Sequence, residues 1–327
     1  MSSSPPRPSL PIEINLTAAI LAVSVGVPAI LVTRGGDGGH VTGLPSGPFD
    51  PLAHRTFEIG LRSWVNEQTG VPLGYVEQLY TFGDRGRHAD ATSREPHIVS
   101  VGYLALTRQA HRDTLPDSAR FRSCYTHLPW EDWRDGKPAI IENAIVPAMQ
   151  IWTAREPTRL NARGLTRADR LHVLFGDSNG KFDDENVLDR YEMLYEAGLV
   201  EEAKRDGRAS PLLSTIPPLG VPMTHDHRRI LATALGRLRA KIKYRPVIFE
   251  LMPTDFTLTA LQQMAEAISG RHLHKQNFRR FVENAAVVEP TGKTEHGTGG
   301  RPAALFRFRR EVLQERPAQG LRVGVRG

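Results

Sequence analysis

The chain has 327 residues, 40% hydrophobic and 24% charged. These are ordinary globular proportions, in a length that suits two domains of about 150 residues each. One cysteine, Cys124, excludes an internal disulfide framework and a cysteine-built zinc site, and it points to a reducing compartment, the cytoplasm. The net charge of +6 is unevenly spread. Residues 1–225 carry 23 Lys and Arg against 27 Asp and Glu, a net of −4; residues 226–327 carry 19 against 9, a net of +10. That asymmetry marks the last third for nucleic acid or another anionic surface, with a merely solubilising segment as the plain alternative.

Residues 1–11 are rich in Ser and Pro and read as a disordered tail. The best apolar run, 18–32, contains Pro28 and is shorter than the roughly 20 residues a bilayer demands, so no membrane span is expected. Residues 12–107 read as one unit. Strands fit 12–23 and 29–34, and glycines follow over 35–47. A helix fits 52–68, with Phe57, Leu61, Trp64 and Val65 on one face and Gly70 as its stop. Two further strands, 76–82 and 98–106, flank an Arg-rich loop. The pattern is α+β, a helix packed on a mixed sheet.

Residues 108–224 read as a mostly helical insertion that completes or extends this unit. Helices fit 139–152 and 186–203, Trp130, Trp133 and Trp152 lie near them, and breakers crowd 161–164 and 211–222. Within a connecting segment, 225–245, an amphipathic helix fits 226–244. Ile230, Ala234, Leu238 and Ile242 recur every four residues, while Arg228, Arg229, Arg237, Arg239, Lys241 and Lys243 take other positions. Such a charge run reads first as a solvated face. The sharper reading is a helix that joins two domains or pairs with a second subunit.

Residues 246–312 give strand, helix, turn, helix, hairpin. A strand fits 247–251. A helix fits 259–268, with Leu261, Met264, Ala265 and Ile268 on one face, a Thr259/Gln262 capping box and a break at Gly270. A second helix fits 275–285, anchored by Phe278, Phe281 and Val282. Segments 287–288 and 304–308 then bracket a Gly-rich loop, 292–300. This order is a winged helix-turn-helix, and residues 313–327 follow as a tail.

Duplex binding draws on Lys and Arg to release condensed counterions. Base reading needs Arg or Lys for guanine and Asn or Gln for adenine. The second helix opens with Lys275, Gln276 and Asn277 and continues with Arg279 and Arg280, where a recognition helix places its groove-reading residues. In the wing, Lys293, His296 and Arg301 suit backbone or minor-groove contact. The histidine pairs His225/His227 and His272/His274 are two residues apart, a helical spacing that points the rings apart, and no third ligand accompanies them, so no metal site is expected.

Several strings are recognisable. Phe249-Glu250-Leu251-Met252-Pro253, Phe256-Thr257-Leu258-Thr259, Asn277-Phe278-Arg279-Arg280, Glu289-Pro290-Thr291-Gly292 and Gly300-Arg301-Pro302-Ala303 resemble the C-terminal domain of Nudix-related transcriptional regulators. Glu77-Gln78-Leu79-Tyr80-Thr81-Phe82-Gly83-Asp84 and Val99-Ser100-Val101-Gly102-Tyr103-Leu104-Ala105-Leu106 are similar to their Nudix-fold sensor. The resemblance implies regulation of NAD metabolism or, in some branches, of sugar use, by sensors that bind nucleotides of the ADP-ribose type. The long middle segment resembles the NadQ-type subgroup, which implies repression of NAD-biosynthesis genes in answer to ATP or NAD.

A working Nudix hydrolase holds Mg²⁺ with a carboxylate cluster on a helix. Aligned on Gly70-Val71, this chain has Ser63 for the motif's arginine, Trp64 for the next glutamate and Gln68 for the last; only Glu67 remains. One carboxylate does not build that site, so neither catalysis nor a catalytic cofactor is expected. In the retained pocket, Phe49 and Phe82 would stack on an adenine, and Arg85 and Arg87 would take phosphates; a core aromatic and a solvated arginine are the plain alternatives. The expectation is an effector-responsive repressor, sensing ATP, NAD or ADP-ribose and binding palindromic double-stranded operator DNA as a homodimer. The rivals are a hydrolase of ADP-ribose-type nucleotides with an appended nucleic-acid-binding module, and an RNA-associated binding module.

Overall fold

The computed structural model describes residues 11–24, 26–34, 41–87, 95–108, 115–176, 182–295 and 302–311. The expected tails (1–11 but for Pro11, and 313–327), His296 and Arg301 lie outside them.

β1 (Ile12–Ser24) and β2 (Val27–Arg34) form an antiparallel hairpin that turns at Gly26, whose φ of 70° favours glycine. β3 (Thr42–Gly43) pairs with β2, and β4 (Ser46–Pro48) with β1. After α1 (Phe57–Thr69) come β5 (Val76–Phe82) and β6 (His97–Leu106). β6 runs parallel to β1 from Ile12↔His97 to Leu21↔Leu106, and β5 lies antiparallel on β6. β7 (Ala119–Ser123) then pairs with β2, so the seven-stranded mixed sheet takes a strand from beyond residue 107.

Alternate residues of a strand face opposite sides. On one face of β1, Leu16, Ala18 and Ile20 pack with Leu61 and Val65 of α1. On the other, Ala19 and Leu21 join a larger core reaching to residue 287. α1 starts at Phe57 rather than 52. The Thr56 hydroxyl accepts the Ile59 N–H and Asp50 takes the Leu52 amide, which leaves a turn before the helix. Gly70, at φ 66°, ends it.

The second face carries α2 (Cys124–His127), α3 (Val146–Arg155), α4 (Arg167–Phe175), α5 (Val187–Glu196) and α6 (His227–Tyr244). The helix expected over 139–152 is a π-helical turn, Ile141–Ile145, running into α3. The one expected over 186–203 is broken after α5, where Gly198 at φ 72° packs against the backbone of residues 208–210; a short 3-10 turn, Glu201–Lys204, follows.

α6 is not the solvated basic helix that its charge run suggests. Twelve of its residues are buried, Arg228 and Arg239 among them. The four-residue apolar repeat describes only the side facing the sheet. The opposite side is covered by α5 and its neighbouring loops, and the arginines there meet acidic partners.

β8 (Phe256–Thr257), α7 (Leu258–Ser269), α8 (Lys275–Ala285), β9 (Val288–Glu295) and β10 (Ala303–Phe308) form a winged helix-turn-helix with sheet order β8-β10-β9. The strand expected over 247–251 is a 3-10 turn, Pro246–Glu250, because proline at the first position supplies helical φ and lacks an N–H to pair in a ladder. The cap of α7 is Thr257, which accepts the Ala260 N–H, not Thr259. β9 runs through Gly292 to Glu295, using glycine's positive φ of 76° inside what sequence alone gives as a loop.

Candidate functional site

Two features carry chemistry. The first is the outer face of α8. Phe278 and Val282 are buried against the core of the winged helix, with Phe281 packed beside them. With positions 278 and 282 buried, Lys275, Gln276, Asn277, Arg279 and Arg280 are all exposed on the remaining arc of the helix. Five donors therefore stand on one rigid surface. In the wing, Lys293 is also exposed and reaches Asp255 at 3.2 Å.

The second is a cleft of about 580 Å³ between the end of α1, the β3 edge and the start of α6. Glu67 and Gln68 form one wall, Gly43, Leu44 and Ser46 the floor, and Thr224, His225 and His227 the far wall; Arg34 stands at the rim. His227 Nδ1 accepts the Leu44 N–H at 2.9 Å, which leaves the neutral ring's proton on Nε2. Spacing in the sequence singled out Glu67, Gln68 and the histidine pair but not their meeting. Contacts from residue 33 to residue 227 assemble the cleft, and no local pattern reports such contacts.

α1, the helix that the resemblance aligns with a Nudix motif, does not fit a magnesium ion. Gln68 donates its amide N–H to the Ser46 carbonyl at 2.7 Å and accepts the Ser46 N–H at 3.2 Å, so it clasps the β4 strand. Glu67 accepts from Ser63 at 2.9 Å. Trp64 lies over Gly47, where a methyl would strike its indole, and its ring N–H donates to the Pro48 carbonyl at 2.9 Å. No three His, Cys, Asp or Glu side chains among the described residues group as a metal would need.

The four residues expected to hold a nucleotide do not converge. Phe49 lies on the α1 side of the sheet, edge-on to Phe57 with centroids 4.6 Å apart. Phe82 belongs to the core on the opposite face, with Gly102 against its ring and the Arg229 guanidinium 5.2 Å from its centroid, which leaves no room for a base. Arg85 and Arg87 do share a smaller cleft of about 280 Å³ with Tyr195 and Arg208. Arg85 is exposed there. Arg87 is committed to protein, bonded to Glu192 at 2.6 Å and stacked 3.7 Å above Tyr195. The sequence offered Arg87 as a free cation because its acidic partners, Glu192 and Asp226, lie more than a hundred positions away.

Between α2, α5, α6 and the end of α7 lies a buried ionic cluster. Glu131, fully excluded from solvent, accepts from Arg190 at 2.6 and 2.8 Å and from Arg239 at 2.6 Å. Burial alone would raise its carboxyl pKa; the two guanidiniums instead hold it below the usual range. Cys124 is buried nearby, and burial pushes its thiol up to about 12, which makes it inert as a nucleophile.

A mixed sheet lies between α1 and α6 and is continued into a winged helix whose second helix is exposed. Residues 248–308 match the family described as the NrtR DNA-binding winged helix domain. Over 90 residues the chain is 41% identical to the ADPR responsive transcriptional repressor NtrR of Acinetobacter baylyi, a match spanning 28% of this chain and 36% of that protein. The Shewanella oneidensis NrtR structure complexed with a 27mer DNA is similar at a TM-score of 0.55 and 20% identity, covering 92% of this chain and 95% of that one. A MutT/nudix family protein from Enterococcus faecalis is similar at a TM-score of 0.50 and 14% identity, covering 94% and 90%. These structural likenesses concern the fold.

Proposed function

We propose that this protein is a nucleotide-responsive transcriptional repressor of NAD-biosynthesis genes. A nucleotide of the ADP-ribose type occupies the α1–α6 cleft, with ATP and NAD as the other candidates, and α8 reads operator DNA. The protein acts in the cytoplasm as a homodimer, because two recognition helices on a two-fold axis suit a palindrome. The observation that carries this reading is the exposure of Lys275, Gln276, Asn277, Arg279 and Arg280 together on one anchored helix. The A. baylyi relative, described as an ADPR responsive repressor, supports the choice of effector.

The Nudix domain works without turnover. Trp64 and Gln68 stand where the motif has glutamates, and both are used for packing and for clasping β4. The cleft remains, lined by Arg34, Thr224 and His225, which offer donors to a phosphate or ribose. A mobility-shift titration on DNA from upstream of the protein's own gene tests the reading, run at low salt with and without ADP-ribose, ATP and NAD. Retardation that one nucleotide alters is expected. No retardation under any of these conditions overturns it, and release of product from ADP-ribose in Mg²⁺ overturns the loss of catalysis.

A further inference from the structure

One helix touches both the cleft and the turn that aims α8. At its start, α6 is stitched to the cleft floor. Thr224 donates its N–H to the Thr42 carbonyl at 3.1 Å, and His227 accepts from Leu44. A methyl on Gly43 would lie 2.6 Å from Thr224 Oγ1 and 2.9 Å from His227 Nδ1, so that wall moves only with the helix. Twelve residues on, about 18 Å along the axis, Arg239 donates to the Ile268 carbonyl at 2.8 Å and to the Glu131 carbonyl at 3.0 Å. Tyr125 donates to the Ala267 carbonyl at 2.6 Å.

The Ala267 and Ile268 carbonyls belong to the last turn of α7, which would otherwise look to water for partners. The residue that ends α7, Gly270, is at φ 72°. Its carbonyl accepts the Trp133 N–H at 2.6 Å, and a methyl on it would collide with the Glu131 carbonyl and lie 2.8 Å from Arg239 Nη2. Arg271 next reaches Asp184 at 3.2 Å. The end of α7 and the turn after it are thus gripped at residues 267, 268, 270 and 271 by α6 and by residues 125–184, a few positions before Lys275.

We propose that α6 is the coupling element of the protein. A ligand in the cleft displaces the 42–44 wall and the start of α6 with it. Arg239, Tyr125 and the Glu131 backbone pass that displacement to the α7–α8 turn, which re-aims α8. Close-packed interiors transmit such shifts because they offer few intermediate arrangements, and the coupling requires only that the ligand favour one arrangement. The effector arm rests on the cleft being the nucleotide site; the mechanical arm does not.

Hydrogen exchange of the full-length protein separates the two. Gly43→Ala presses on Thr224 and His227 with no ligand present. It is expected to change amide exchange over 267–285 by about fivefold or more. Unchanged exchange there overturns the proposal. Thr224→Val, which removes the hydroxyl beside His227, serves if Gly43→Ala does not fold. In Tyr125→Phe/Arg239→Lys, which keeps a cation beside the buried carboxylate but removes the Tyr125 hydroxyl and the planar fork that reaches the Ile268 and Glu131 carbonyls, the effect of Gly43→Ala on 267–285 should be largely lost; full retention overturns the route. ADP-ribose added to the wild type should act on the same peptides. If Gly43→Ala does so and ADP-ribose does not, the coupling stands and the effector reading falls.

Discussion

Arg239 and Glu131 meet at 2.6 Å with neither side chain reaching solvent, and Arg190 closes on the same carboxylate from α5. A buried ion pair adds little net stability when complete, because desolvation offsets the attraction, but breaking it strands a charge. Glu131→Gln should therefore cost about 3–5 kcal/mol, since two guanidiniums lose their counter-charge. Replacing Glu131, Arg190 and Arg239 together by apolar residues of similar volume should recover most of that loss. Urea midpoints measure both. A single variant as stable as wild type would mean that the cluster is not dry in solution.

Acid should unfold the protein in two stages. His127 is buried, with a ring N–H donating to the Val221 carbonyl at 2.8 Å, and burial pushes its pKa below the ordinary 6.5. The unfolded chain takes up that proton first, so this contribution is whole above about pH 6.5 and falls as the pH drops from there toward the folded value. Burial would raise the Glu131 pKa, yet Arg190 and Arg239 hold it below 4.5, so its contribution persists above that value and is lost as the pH falls through the lower folded one. Stability measured from about pH 8 to about pH 2 should decline in that order, and His127→Asn should flatten the first stage. A first stage that His127→Asn leaves intact would assign it to another group.

How much of this was legible in sequence depends on what each residue answers to. The helix over 275–285 could be read from periodicity because one solvated and one buried face repeat within a few residues. β7 was not: Ala119 and Phe121 alternate with Arg120 and Arg122, but two apolar positions in five residues are too short a signal, and pairing with β2 makes the segment a strand. The same holds for α6, where Arg228 reads as solvated until Glu202 is known to face it. The outward set on α8 follows from local spacing, whereas the cleft needs residues 43, 68 and 227 in one place, which only the tertiary fold supplies.

Three residues with positive φ should respond differently to exchange between glycine and alanine. Gly70→Ala meets nothing within 4 Å, so it costs only left-handed strain, about 1 kcal/mol. Gly270→Ala adds collisions with Glu131 and Arg239 and should exceed it by about 2 kcal/mol or more. Ala286 already ends α8 at φ 50°, so Ala286→Gly should stabilise by about 1 kcal/mol. Thermal melts rank the three. Equal losses for Gly70→Ala and Gly270→Ala would show that the α7–α8 turn is not held against the sensor.

Arg279 and Lys275 stand on the same helix but at different points of its exposed arc, and DNA should tell them apart. A base-reading arginine is worth about 1–3 kcal/mol and its loss relaxes preference at one base pair; a phosphate-binding lysine mainly sets the salt dependence. Arg279→Ala is expected to weaken binding to upstream DNA by that amount and to narrow the gap over unrelated DNA. Lys275→Ala should weaken both DNAs alike and lower the slope of log K against log salt by about 1. Both sites are remote in sequence from the cleft and fully exposed, so calorimetric affinity for ADP-ribose should match wild type in each. If Arg279→Ala abolished ADP-ribose binding while DNA binding held, effector capture and DNA reading would have to be reassigned between the two domains.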